Sequence, residues 1–134
     1  MENQQELMLK LGMFEQQIKQ THQQLQAVEQ AIIDINSLNL GLDELKGSKD
    51  QEILAPIGRG IFVKTKLLSE DLLVDIGDKN FVTKDIESTK KTIQDQIKKL
   101  ENARTQLEQM LEDINDELTK VYLEHQKEQE KKKE

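Results

Sequence analysis

Beginning at Leu7, positions separated alternately by four and three residues form one series. It runs Leu7, Leu11, Phe14, Ile18, Thr21, Leu25, Val28, Ile32, Ile35, Asn39, Leu42. In heptad letters the a places are Leu11, Ile18, Leu25, Ile32 and Asn39, and the d places are Leu7, Phe14, Thr21, Val28, Ile35 and Leu42. Only Thr21 and Asn39 are polar. The stripe is narrower than the buried face of a helix in a globular core, so it predicts a coiled-coil seam. The pattern returns near the other end. Ile86, Ile93, Leu100, Leu107, Ile114 and Val121 take the d places, and Lys90, Ile97, Arg104, Leu111, Leu118 and His125 the a places. No Pro or Gly interrupts residues 84–134. The expectation is a helix over 1–46 and a second over 84–130.

Between them the period shortens. Gly47-Ser48-Lys49-Asp50 reads as a helix stop and loop. Ile53 to Pro56 is a short apolar run, and Ile61 to Leu67 is rich in β-branched and aromatic residues. Ser69-Glu70-Asp71 and Gly77-Asp78-Lys79-Asn80 read as turns around Leu72 to Ile76, and Phe81-Val82-Thr83 is a fourth short strand. Residues 52–84 therefore predict two β-hairpins, with Asp85 or Thr83 capping the second helix.

Forty helical residues span about 60 Å, whereas a compact globule of this length is near 37 Å across. The helices must pair with each other or with another chain. Folding back at the hairpins is the simplest solution, with facing residues numbered to a sum near 128 and both termini at one free tip. Thr21, Asn39, Lys90 and Arg104 are polar seam residues. They set register and orientation at a cost in stability, or they loosen the coil so that it bends.

Composition agrees with a chain poor in core and rich in surface. Hydrophobic residues are 35% and charged residues 34%, with no Cys and no Trp. A disulfide scaffold and a Cys-based metal site are excluded. No apolar run approaches the ~20 residues needed to span a bilayer, and no signal peptide opens the chain, so the cytosol is the expected compartment and no membrane partner is expected. The net charge of −7 is spread along the chain and argues against nucleic acid as a partner. The mixed Lys and Glu of 124–134 read as a solvated helix end.

Candidate chemistry is sparse. His22 and His125 fall roughly 28 Å apart in the folded-back arrangement. Gly58-Arg59-Gly60 lacks the Lys-Ser/Thr of a phosphate loop and opens no helix. No Gly-x-Ser-x-Gly, His-Glu-x-x-His or carboxylate dyad is present. An enzyme is not expected, nor is a cofactor or metal.

Two surfaces remain. Four short strands make a poor independent sheet with open edges. Pairing with strands of other subunits would close them into a larger sheet or barrel; packing only on the chain's own helices is the competing arrangement. At the tip, Met8, Leu9 and Met13 lie outside the first seam, and Tyr122 and Leu123 outside the second. Surplus apolar residues at a free coil end suggest a soft binding surface; extra packing between the helix ends is the alternative.

The order helix, two hairpins, helix resembles the α-type subunit of prefoldin. The specific part is the stretch Ile53-Leu54-Ala55-Pro56-Ile57-Gly58-Arg59-Gly60-Ile61-Phe62-Val63. Leu72-Leu73-Val74-Asp75-Ile76-Gly77 and Asn80-Phe81-Val82-Thr83-Lys84 add to it. Two hairpins resemble the α class, whereas the β class has one. The short length resembles archaeal members. The resemblance implies a mainly α fold with a small β part: a long antiparallel two-helix coiled coil joined by two hairpins that assemble into an intersubunit β-barrel, with 1–134 a single domain. It implies a heterohexamer of two α-type and four β-type subunits. This would be an ATP-independent holdase that captures unfolded client proteins and delivers them to a group II chaperonin, using no nucleotide or metal. Carried onto this sequence, the client surface is Leu7, Met8, Leu11, Met13 and Phe14 with Leu118, Val121, Tyr122 and Leu123. The assembly surface is Ile61, Phe62, Val63, Leu72, Val74, Ile76, Phe81 and Val82. The alternative is a structural coiled-coil adaptor or filament subunit that binds one defined folded partner.

Overall fold

The computed structural model describes residues 2–133, and side chains over 4–131. Met1, the side chains of Glu2 and Asn3 and, at the far end of the expected solvated tail, the side chains of Lys132 and Lys133 with Glu134 lie outside that description. The elements follow the order α1 (Glu2–Leu45), β1 (Glu52–Gly58), β2 (Ile61–Lys66), β3 (Leu72–Asp75), β4 (Phe81–Lys84) and α2 (Ile86–Lys133). Every a and d position named above is buried or half-buried. Among the described residues of the two helices, only Ala31, Leu45, Thr89 and Ala103 share that protection without belonging to the seam. The 3.5-residue period is thus a burial pattern, as coiled-coil packing requires.

The chain divides into two compact units, one of Met1–Ile32 with Lys99–Glu134 and one of Ile33–Lys98. In the first, the helices are antiparallel: Leu7 and Val121, whose numbers sum to the expected 128, line one recess together. Thr21 is buried at a d place, and its hydroxyl donates to the Gln17 carbonyl at 2.7 Å. That local bond removes the need for a partner across the seam.

The second unit holds the tightest core. Leu42, Ile86 and Ile93 are buried against one another, and Ile35, Leu45, Leu72 and Ile97 pack around them. The helix ends here are fastened by Lys46 to Glu87 and Lys90 to Asp43. Glu87 holds the Lys46 ammonium above its usual pKa, and Lys46 holds the Glu87 carboxyl below its own. Both of those groups are exposed, so the pair adds little to stability. Lys90 differs, because its side chain at an a place is only 19% exposed, and Asp43 supplies the counter-charge. Asn39 lies half-buried in the same seam, and its Oδ1 is buried with no hydrogen-bond partner.

Helix α1 stops where Gly47 takes φ = 77°, a left-handed conformation open to glycine at little cost. The Ser48 amide donates to the Leu45 carbonyl at 3.1 Å, and the Gly47 amide donates to the Glu70 carboxylate. Helix α2 starts on Asp85, one of the two residues expected to cap it. The Ser88 amide donates to Asp85 Oδ1 at 2.7 Å, and the Ser88 hydrogen bonding holds the Asp85 carboxyl below its usual pKa.

The four strands form two separate antiparallel sheets, β1-β2 and β3-β4. Their turns need positive φ at both central residues, supplied by Arg59 (50°) and Gly60 (78°) in one and by Asp78 (49°) and Lys79 (62°) in the other. That is the backbone of the primed hairpin turns, whose twist matches the flanking strands. The register of β1-β2 slips between Pro56 and Gly58, leaving Ile57 as an extra residue.

Candidate functional surfaces

In the first unit the residues expected to hold clients fall into two sets. Leu7, Leu11, Phe14, Leu118 and Val121 are half-buried, because they are seam residues that hold the helices together. Met8 (73% exposed), Met13 (62%), Tyr122 and Leu123 stand in solvent. Leu9 joins them, equally exposed though left off the expected client surface. Its signal was its place between Met8 and Lys10, off the seam. A groove of about 410 Å³ opens beside this set, lined by Met13, Phe14 and Val121 and bordered by Lys10, Lys120, Glu117 and Glu124. Mixed charge around an apolar lining gives the groove no preference for one sign of ligand. The adjoining recess is smaller, about 120 Å³, and more polar, with Glu6, Glu124, Glu128 and His125 around Leu7 and Val121. His125 Nε2 lies 3.2 Å from the Gln129 side-chain amide.

In the second unit the hairpins present one protected and one open face. Antiparallel partners share a face. Val74 and Val82 pair and are half-buried, and Leu72, two residues along the same face, reaches the core of Leu42, Ile86 and Ile93. The opposite face carries Leu73 and Phe81, both exposed. In β1-β2, Pro56 pairs with Phe62 and Leu54 with Lys64, so Leu54, Pro56 and Phe62 share an exposed face. Ile61, Val63 and Ile76 are also exposed. Of the residues expected in assembly, the structure therefore places Ile61, Phe62, Val63, Ile76 and Phe81 in solvent, and Leu72, Val74 and Val82 toward protected surroundings. Leu54, Ile57, Leu68 and Leu73 are open apolar residues that the sequence reading passed over. So are Ile33, Leu38 and Leu40, off the seam of α1. Gly58-Arg59-Gly60 is the β1-β2 turn, which accounts for its glycine without a phosphate.

Each sheet has only two strands, so each strand keeps one unpaired edge. The β1-β2 ladder continues past the strands, with the Leu67 amide donating to the Gln51 carbonyl at 3.0 Å and the Asp50 amide to the Leu67 carbonyl at 2.7 Å. Among the described residues no helix is long and apolar enough to cross a membrane, and no group of three His, Cys, Asp or Glu side chains could hold a metal ion.

Two antiparallel helices carrying a pair of hairpins define a class of coiled-coil assembly protein. The family model for the prefoldin subunit matches residues 14–131. Prefoldin subunit alpha of Methanobrevibacter smithii is 31% identical over 112 residues, which make up 83% of this chain and 77% of that protein. Prefoldin subunit alpha of Methanosphaera stadtmanae is 29% identical over 89 residues, 66% of this chain and 64% of that protein. Among solved structures, a chain in the cryo-EM structure of filamentous PFD from Methanocaldococcus jannaschii has the same fold. Its TM-score is 0.73 at 22% identity, over 86% of this chain and 97% of that one. The chain belongs to the prefoldin family, as an α-type subunit. This is a family of chaperones and not of enzymes.

Proposed function

We propose that this subunit works within an ATP-independent holdase in the cytosol, built from two α-type and four β-type subunits. The open apolar faces of the hairpins meet strands of neighbouring subunits and close a barrel, covering Ile61, Phe62, Val63, Ile76 and Phe81 together with Leu54, Ile57 and Leu73. The helix ends of the first unit then hold segments of unfolded client proteins, which pass on to a group II chaperonin. The observation that carries this reading is the open set Met8, Leu9, Met13, Tyr122 and Leu123 at the end of a helix pair whose seam is already filled. Side chains not needed to pair the helices remain available for something else.

The mechanism follows from weak, repeated contact. One tip offers a handful of apolar side chains, so it holds and releases a client quickly. Several tips on one body engage one unfolded chain together, and the effective concentration of the second contact supplies the hold. Release needs no nucleotide, because each contact opens on its own.

The test is light scattering of a chemically unfolded protein diluted into buffer without ATP. The buffer contains this chain co-purified with a β-type partner. Suppression near stoichiometric complex is expected for several unrelated clients. Replacing Met8, Leu9 and Met13 together by Ser leaves the seam intact and should weaken suppression. An assembled complex that suppresses nothing would instead fit the structural adaptor, which binds one folded partner.

A further inference from the structure

We infer that Met8 and Met13 are a reversible oxidation site through which peroxide weakens client capture. The inference rests on the tip being the client surface. The chain has four Met and no Cys, so no thiol of its own competes for an oxidant. Met8 and Met13 are both more than half exposed, and Met13 lines the 410 Å³ groove. The only other described Met, Met110, is less exposed and lies with Thr21 and Ile114 along the helix pair. Among the described residues, the two most exposed methionines thus lie on the surface that would touch clients.

Hydrogen peroxide transfers one oxygen atom to the thioether. The sulfur lone pair attacks a peroxide oxygen, the O–O bond breaks, and the sulfoxide and one water result. The sulfur loses two electrons and peroxide gains them. Methionine sulfoxide reductase reverses the step with a dithiol, which becomes a disulfide as water leaves. The product carries a strong S=O dipole where a polarisable apolar atom stood. An apolar client segment must then desolvate that oxygen without offering it a hydrogen bond. A tenfold weaker contact per tip is the expected scale, about 1.4 kcal/mol. Because hold is multivalent, the loss deepens as more modified tips face one client.

The experiment uses the complex co-purified with its β-type partner. It is treated with hydrogen peroxide, freed of oxidant and assayed for suppression of aggregation without ATP. Each sample is compared with its own untreated control. Peptide mass spectrometry should find one added oxygen on Met8 and on Met13. The wild-type complex should need several-fold more protein for half-suppression. Reductase with dithiothreitol should restore it. Met8→Leu with Met13→Leu should remove most of the peroxide effect, whatever its starting level, whereas Met110→Leu should keep it. Sulfoxide at both positions with unchanged suppression overturns the inference, as does an equal loss in the double Leu variant or a failure of both sulfurs to oxidise. The tip reading fails separately, if the untreated Ser triple variant suppresses aggregation as well as wild type.

Discussion

Replacing Asn39 by Leu should stabilise the second unit. Its Oδ1 is buried without a partner, in a seam whose neighbours Ile35 and Leu42 are apolar. The nearby cation, Lys90, is committed to Asp43 instead. Leaving a buried acceptor unsatisfied costs about 1–3 kcal/mol. Leu removes that cost, adds partial apolar burial and is a slightly better helix former, by a few tenths of a kcal/mol. The position is only half-buried, which keeps the apolar gain small. A net stabilisation of about 2 kcal/mol is expected. With a urea m-value of about 2 kcal/mol/M, the midpoint should rise by about 1 M at fixed protein concentration. Far-UV circular dichroism reads the transition. Asn39→Ala, which also deletes the unpaired acceptor but leaves its space unfilled, should raise the midpoint too, by somewhat less than Leu. A second effect accompanies the first. A polar a-place residue penalises wrong pairings, so the Leu variant should show extra self-associated species in sedimentation velocity. A lower midpoint for Asn39→Leu would refute the reasoning, because the Asn39 amide would then be satisfied in solution and contributing.

Other substitutions probe other links. Ile93→Ala should lose about 2–3 kcal/mol, the low end for a buried Ile, since half-buried Ile35, Leu72 and Ile97 let the site collapse; denaturant midpoints at constant m check it. Gly60→Ala should cost about 1 kcal/mol through its positive φ alone, because nothing lies within 4 Å of the added Cβ. Gly60→Asn should cost less, as Asn tolerates that conformation. Asp85 and Glu87 have folded pKa values below their ordinary 3.8 and 4.5. Their contributions are complete above those ordinary values and are lost as pH falls through the lowered ones. Thermal melts should therefore lose stability on the acid side. Asp85→Asn, which can still cap, should flatten part of that fall; an unchanged acid limb counts against the assigned cap.

The helix pairing was legible because one physical rule governs it. A residue at every a and d place must be covered, and the sequence repeats that demand from Leu7 to Leu42 and from Ile86 to His125. The turns were legible from Gly58, Gly60, Gly77 and Asp78, which tolerate the left-handed backbone, although Arg59 and Lys79 take it as well. The open faces of the hairpins were not. Leu72-Leu73-Val74 is apolar throughout, so alternation could not say which side faces the core; the packing of Leu72 against the cluster of Leu42, Ile86 and Ile93 decides it. The slip at Ile57 and the outward turn of Leu54 depend on pairing with β2, which composition does not encode. Nor did the seam foretell that Lys90 would reach Asp43 and leave Asn39 alone, because long flexible side chains choose partners only in three dimensions.

The uncovered hairpin face bears on how much of this subunit a cell can hold. In the assembly proposed above, a copy made in excess of its partners keeps Leu54, Ile57, Leu73 and Phe81 in water, beside the unpaired edges of two-stranded sheets. To the machinery that removes misfolded proteins, such a copy presents the features of damage. Its abundance should then follow that of its partners through turnover, without any matching of synthesis. Pulse-chase labelling should show a half-life that lengthens when a β-type subunit is supplied.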